Sequence, residues 1–170
     1  MRRQPIRPTS AVQNHEDQMS SHQLQTEIDI VATPERVWSI LTNFPAYPDW
    51  NPFIRSIRGT PEIGAPLEVR IQPSGTKGMT FRPTVLTAIR AQELRWLGRF
   101  LVPGLFDGEH CFAIQPIANG KVRFRQSELF SGILVPIFRA SLDRDTKRGF
   151  EEMNQALKVR AEANEASDKI

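Results

Sequence analysis

Apolar positions follow two different periods along this chain, and the change from one to the other marks out its architecture. From residue 135 to 162 they recur in steps of three and four: Phe138, Leu142, Thr146, Phe150, Met153, Leu157 and Ala161 share one face. Arg139, Asp143, Arg144, Lys147, Arg148, Glu151, Glu152, Lys158 and Arg160 occupy the other. This spacing predicts a single amphipathic helix, about 40 Å long at 1.5 Å per residue. Pro136 falls in its first turn, where the missing N–H is least costly. Through most of the rest the period is two. Residues 24–31 alternate Leu24, Thr26, Ile28 and Ile30 with Gln25, Glu27 and Asp29, the pattern of a strand buried on one face.

Thr33-Pro34-Glu35 then caps and starts a short helix carrying Val37, Trp38, Ile40 and Leu41. Pro45, Pro48 and Pro52 forbid one helix through residues 44–53 and predict a turn, a single helical turn and a strand over 53–59. Asn51 reads as a turn residue whose side chain bonds backbone. Further strands are predicted over 66–72, 79–89, 93–100, 108–116 and 121–130. In the third-last of these Leu94, Trp96, Gly98 and Phe100 face one way, and over 79–89 Met79, Phe81, Val85 and Ile89 do. One strand, two short helices, a run of antiparallel strands and one long helix make an α+β domain with no internal repeat. It is expected over 23–163, between a tail over 1–22 and a short tail over 164–170.

Composition narrows the class. With 39% apolar and 24% charged residues the chain carries enough for a packed core. A single cysteine excludes an internal disulfide and a cysteine-rich zinc site; three scattered histidines make no metal set, and no cofactor motif is present. No apolar run is long enough to span a bilayer, so no stable membrane insertion is expected and a cytoplasmic location is the simplest reading. Arg2, Arg3 and Arg7 leave organelle targeting open, although Glu16 and Asp17 weaken it. A net charge of +3 raises nucleic acid as a partner. Yet Arg70, Arg82, Arg95, Arg123 and Arg125 alternate with apolar residues, as on the wet face of a sheet, and no basic run with interleaved aromatics occurs. No nucleic-acid partner is expected.

The candidate chemistry sits on the last two strands. A three-residue loop, Ala118-Asn119-Gly120, would pair Ile117 with Lys121. Ile114 then lies opposite Phe124, Phe112 opposite Gln126, and His110 opposite Glu128. A two-residue loop would set Ile114 against Arg125 and spoil the apolar face. Direct cross-strand neighbours lie about 5 Å apart at Cβ, so His110 and Glu128 can touch. Three roles are open to them: a mutually satisfied buried patch, with or without Gln126; an anchor for a ligand hydroxyl or carbonyl; or an acid–base pair in which Glu128 holds the imidazole. Cys111 should point away from His110. Gly149, mid-helix, costs about 1 kcal/mol relative to alanine, which close packing or room for ligand would justify.

The punctuation resembles the START-like (SRPBCC) superfamily. The carriers are Thr33-Pro34-Glu35-Arg36-Val37-Trp38, Tyr47-Pro48-Asp49-Trp50-Asn51-Pro52-Phe53, Glu93-Leu94-Arg95-Trp96, Gly108-Glu109-His110-Cys111-Phe112 and Glu128-Leu129-Phe130-Ser131-Gly132. The resemblance covers about residues 24–162 and implies the helix-grip fold, a curved antiparallel sheet wrapped around the C-terminal helix. It further implies an internal cavity for a hydrophobic or aromatic small molecule or a lipid. Trp38, Trp50, Phe81, Trp96, Phe112, Phe124, Gln126, Phe150 and Asn154 are the expected lining, with Leu105 and Phe106 at the mouth. That mouth is expected from loops 73–78, 101–106 and 131–135. Two of these are apolar for loops, so a homodimer or membrane contact there is a further partner expectation, unless their side chains fold back into the core. The alternative function is a cofactor-free polyketide cyclase or dehydratase using His110 and Glu128.

Overall fold

The computed structural model describes residues 21–163. The chain runs β1 (Ser21–Ile30), α1 (Pro34–Thr42), a tight turn at Phe44–Ala46, α2 (Tyr47–Trp50), β2 (Ile54–Arg58), β3 (Glu68–Ile71), β4 (Met79–Phe81), β5 (Thr84–Ile89), β6 (Glu93–Arg99), β7 (Asp107–Ile117) and β8 (Lys121–Ser131). A final helical rod follows, made of α3 (Val135–Ser141), a widened turn at Leu142–Thr146 and α4 (Lys147–Glu162). This is the helix-grip arrangement. The first strand takes in Ser21 and His22, which the sequence places in the tail; the expected tails otherwise lie outside the described residues.

Local signals account for most of these boundaries. Thr33 Oγ1 accepts from the Arg36 N–H at 3.2 Å, capping α1 with Pro34 just inside. Asn51 Oδ1 accepts from the Phe53 and Ile54 N–H groups at 3.0 and 2.8 Å, turning the chain into β2. In the β7–β8 hairpin Asn119 and Gly120 take left-handed φ values of 64° and 66°. The resulting register pairs Ile117 with Lys121, Ile114 with Phe124, Phe112 with Gln126 and His110 with Glu128, as the alternation requires.

The strands form two sheets. One is a curved five-stranded sheet ordered β1-β8-β7-β6-β5, the other three-stranded, ordered β2-β3-β4. The continuous strand expected over 79–89 is split between them. Pro83, which has no N–H to donate, stands at the break, and a register shift follows between Val85 and Thr87. Of its expected inward set only Val85 is buried; Met79 and Ile89 are exposed and Phe81 half-buried.

The final rod is not a uniform helix either. The wider turn at Leu142–Thr146 shifts the phase between its halves, so Phe138 is 44% exposed while Phe150, Met153, Leu157 and Ala161 are fully buried. α4 is tied to β1 by the Lys158 ammonium on the Asp29 carbonyl at 2.7 Å and by Glu162, which accepts from the Val31 N–H at 2.8 Å. Gly149 faces Phe53: a Cβ there would overlap the phenyl ring. Close packing, not room for ligand, explains that glycine.

Candidate ligand-binding site

The concave face of the sheet meets α4 in an aromatic layer with a polar centre. β6, β7, β8 and β1 set Trp96, His110, Glu128 and Leu24 in one cross-strand row, and Leu94, Phe112, Gln126 and Thr26 in the next. Alternation turns both rows toward α4, which supplies Phe150, Met153 and Asn154. The His110 ring stacks on Trp96 at a centroid distance of 5.1 Å and takes the edges of Phe112 and Phe150 at 4.5 and 5.2 Å. Phe124 stacks on Phe112 at 5.8 Å. Cys111 turns to the other side of the sheet, beside Glu93, Arg95 and Glu109.

Hydrogen bonds define the state of the imidazole. His110 Nδ1 lies 3.2 Å from Glu128 Oε2, and His110 Nε2 lies 3.3 Å from Gln126 Nε2. The same Gln126 amide nitrogen donates to Met153 Sδ at 3.7 Å. A thioether sulfur only accepts, so the amide NH2 must face this side. The imidazole Nε2 is then the acceptor of the second amide proton, and Nδ1 carries the hydrogen directed at Glu128. Both ring nitrogens are engaged. Gly108 makes this possible from the next pleat: a Cβ there would stand 2.5 Å from Glu128 Oε1.

Beside the imidazole, Asn154 Nδ2 donates to Thr26 Oγ1 at 2.9 Å. Gln126 and Asn154 are 0% and 3% exposed, yet Gln126 Oε1 and Asn154 Oδ1 have no hydrogen-bond partner. Each such orphaned acceptor costs about 1–3 kcal/mol. Thr26 and Met153 complete the centre. Sequence reasoning placed both on buried faces without giving either a role at the site, and only the packing of α4 on β1 and β8 brings them to the amides.

The hollow expected between sheet and helix is filled. Phe53, Phe112, Phe124, Phe150 and Met153 are each at most 1% exposed, and Phe53 packs edge-on to Phe150 at 5.6 Å. Two depressions on the described surface lie elsewhere. The larger, about 1260 Å³, runs between α1–α2 and the outer side of α4, past Arg36, Ser39, Trp50, Gln155 and Val159. The other lies by Pro34, Arg90 and Gln115.

Of the expected lining, Trp96, Phe112, Phe124, Gln126, Phe150 and Asn154 converge here with His110 and Glu128. Trp50 instead borders the outer cleft, tilted against Tyr47 at 5.0 Å. Trp38 is half-buried on α1, packed against the core, and Phe81 lies in the second sheet opposite Val69. Phe106 folds back between Phe130 and Phe138, 5.5 Å from each, and Leu105 is half-buried.

Of the three mouth loops, two bond to each other, through the Ile133 and Leu134 N–H groups on the Gly104 and Leu105 carbonyls at 3.2 and 3.1 Å. The third binds α4 instead: Arg148 donates to the Ser74 carbonyl at 2.9 Å and Ser74 Oγ to Glu152 at 2.8 Å. The paired loops and α3 leave Leu101, Val102, Ile133 and Ile137 between 57% and 79% exposed. Among the described residues no group of three or more His, Cys, Asp or Glu side chains is placed to hold a metal ion. No helix there is long and apolar enough to cross a membrane.

Solved structures share this architecture at low identity. The two-domain ARO/CYC protein StfQ of the steffimycin biosynthetic pathway superposes with a TM-score of 0.75 at 11% identity, over 92% of this chain but 56% of its own. This chain therefore spans just over half of that protein. The Zhui aromatase/cyclase from Streptomyces sp. R1128 gives 0.70 at 13% identity, covering 88% of this chain and 98% of its own. A START superfamily protein from Mycobacterium smegmatis gives 0.66 at 19%, covering 84% and 99%. At these identities the likeness establishes the fold alone. No curated protein matches the sequence. The family model described as polyketide cyclase / dehydrase and lipid transport matches residues 21–162, nearly the whole described chain, and the protein belongs to that family.

Proposed function

We propose that this protein binds a hydrophobic or aromatic small molecule between the curved sheet and α4. One observation carries the reading: a buried polar centre with two unpaired amide oxygens sits inside an otherwise aromatic layer. A core shaped only for stability gains nothing from such atoms, whereas a partner arriving with a ligand would satisfy them. Entry requires side chains to move. Met153, unbranched and free to change rotamer, is the one suited to yield.

Native mass spectrometry of the full chain as purified tests the reading, alongside displacement of a hydrophobic fluorophore. A co-purifying small molecule, or saturable fluorophore binding lost in Met153→Trp, is the expected result. No adduct and no saturable binding would refute it.

A cofactor-free cyclase or dehydratase remains the second reading, favoured by the Glu128–His110 contact. In that reading Glu128 orients the imidazole and His110 Nε2 takes or returns a proton, after the Gln126 amide has swung off it. His110→Gln separates the two: lost turnover at unchanged affinity marks an enzyme, and lost affinity marks a binder. Separately, the exposed Leu101, Ile133 and Ile137 side chains support a contact surface at the paired loops. Joint replacement of the three by serine should abolish vesicle sedimentation or self-association, and undiminished association would remove that contact.

A further inference from the structure

The protrusion made by loop 101–106, the turn at 131–134 and α3 is tightly bonded within and apolar outside. Backbone bonds run through it in sequence. The Val102 carbonyl accepts from the Leu105 N–H at 3.3 Å, the Leu105 carbonyl from the Leu134 N–H at 3.1 Å, and the Leu134 carbonyl from the Ile137 N–H at 3.1 Å. Gly132 lets the two segments close, since a Cβ there would stand 2.7 Å from the Leu105 carbonyl oxygen. Asp107 accepts from the Gly104 N–H at 3.1 Å, and Phe106 packs beneath, against Phe130 and Phe138. Leu101, Val102, Ile133 and Ile137 thus belong to one bonded unit, and all four stand in solvent. Leu101 does so at a cost: its φ of 63° is left-handed backbone, which glycine enters freely and leucine does not. Stability alone would favour glycine there and polar side chains at the other three. The charge around them has one sign. From Arg99 to Phe106 and from Leu129 to Leu142 the chain has no Asp or Glu, while Arg99 and Arg139 are exposed. The carboxylates just beyond are engaged: Glu128 by His110, Asp107 by Gly104 and more distantly by Arg99 at 3.9 Å, and Asp143 by His22 at 2.8 Å.

We infer that this protrusion, resting on the contact surface proposed above, seats on the face of an anionic lipid bilayer. The four aliphatic side chains enter the boundary between headgroups and acyl chains, and the Arg99 and Arg139 guanidiniums meet lipid phosphate or carboxylate groups. The attachment is to the surface, not across it: α3 has only seven residues. A second copy of the chain fits this patch less well. A two-fold contact brings the same patch to itself, so two arginines from each copy would meet in one interface with no carboxylate from these segments to pair them. A bilayer supplies the anions, and it takes up aliphatic side chains without needing a complementary shape.

Vesicle sedimentation of the full chain tests this, with phosphatidylcholine alone and with about one-quarter phosphatidylserine, beside sedimentation velocity of the lipid-free protein. The expected result is a monomer that binds the phosphatidylserine vesicles about twentyfold more tightly, since each arginine at an anionic surface contributes about fivefold. Arg99→Gln combined with Arg139→Gln should bring that ratio to within about threefold. Leu101→Gly should weaken binding to both vesicles by about tenfold, as expected for one leucine withdrawn from an apolar phase, while the protein melts at or above the parent temperature. That pairing separates a docking side chain from a structural one, whose loss would lower both. The two-vesicle comparison on the unaltered protein stands even if a variant fails to fold. Equal binding to the two vesicles overturns the anionic-bilayer assignment. So does a lipid-free dimer that ignores vesicles and that Leu101→Gly dissociates, although it leaves the contact surface in place. A monomer that binds neither vesicle overturns both.

Discussion

Gly149→Ala sets two sizeable effects against each other, and the structure says which wins. In an isolated helix the change would stabilise by about 1 kcal/mol, because alanine loses less backbone freedom than glycine. Here the new methyl would fall on the ring of Phe53, which is 1% exposed and wedged edge-on against Phe150. A phenyl ring cannot bend away as a methionine can, and Phe53 is also held by Asn51, whose side chain fixes its N–H. The cost therefore lies near the upper end for overpacking, about 3 kcal/mol. The net loss is about 2 kcal/mol, which for a domain of this size lowers Tm by roughly 4–8 °C. Differential scanning calorimetry reads it directly. Combining the change with Phe53→Leu removes the clash, so the double variant should fall short of the summed single losses by about 1 kcal/mol or more. A Gly149→Ala protein that melts at or above the parent temperature would refute this account and restore the view of that glycine as space kept for ligand.

Gly108→Ala should push the Glu128 carboxylate off His110, because the added Cβ stands 2.5 Å from Oε1; loss of the imidazole Nδ1–H signal by NMR, with stability lowered by about 1 kcal/mol in urea, is expected, and a persisting signal contradicts it. Burial, and then the neighbouring Glu93 charge, raise the Cys111 thiol above its ordinary range, so iodoacetamide at pH 8 should label it more slowly than glutathione, and an equal rate would show the assignment to be mistaken. The Arg123 guanidinium, bonded to Asp29 at 2.9 Å, holds that carboxyl below its usual range. Its contribution is complete above the unfolded carboxylate range, at about pH 4, and disappears as pH falls through the lowered folded value. Arg123→Gln should therefore flatten the acid limb of the stability profile, and an unchanged limb would count against the pair.

Periodicity and punctuation were enough to determine most of the elements, because those rest on short-range physics. The period change at residue 135, the Thr33-Pro34 cap and the Asn51 turn act within a few residues of themselves. Even the His110–Glu128 contact, between residues eighteen apart, was legible. One tight loop sets that register, and a one-residue slip would have turned Arg125 into the core. Three things were not legible. Pro83 dividing two sheets depends on which neighbour each half-strand finds. The re-phased rod depends on a wider turn that no spacing rule marks. The closing of the interior depends on how Phe53, Phe150 and Met153 share one volume. A sequence states which faces are apolar; how tightly two such faces approach is a property of side-chain shapes meeting across long separations. Only the folded chain decided that the centre holds two amide oxygens with nothing to bind.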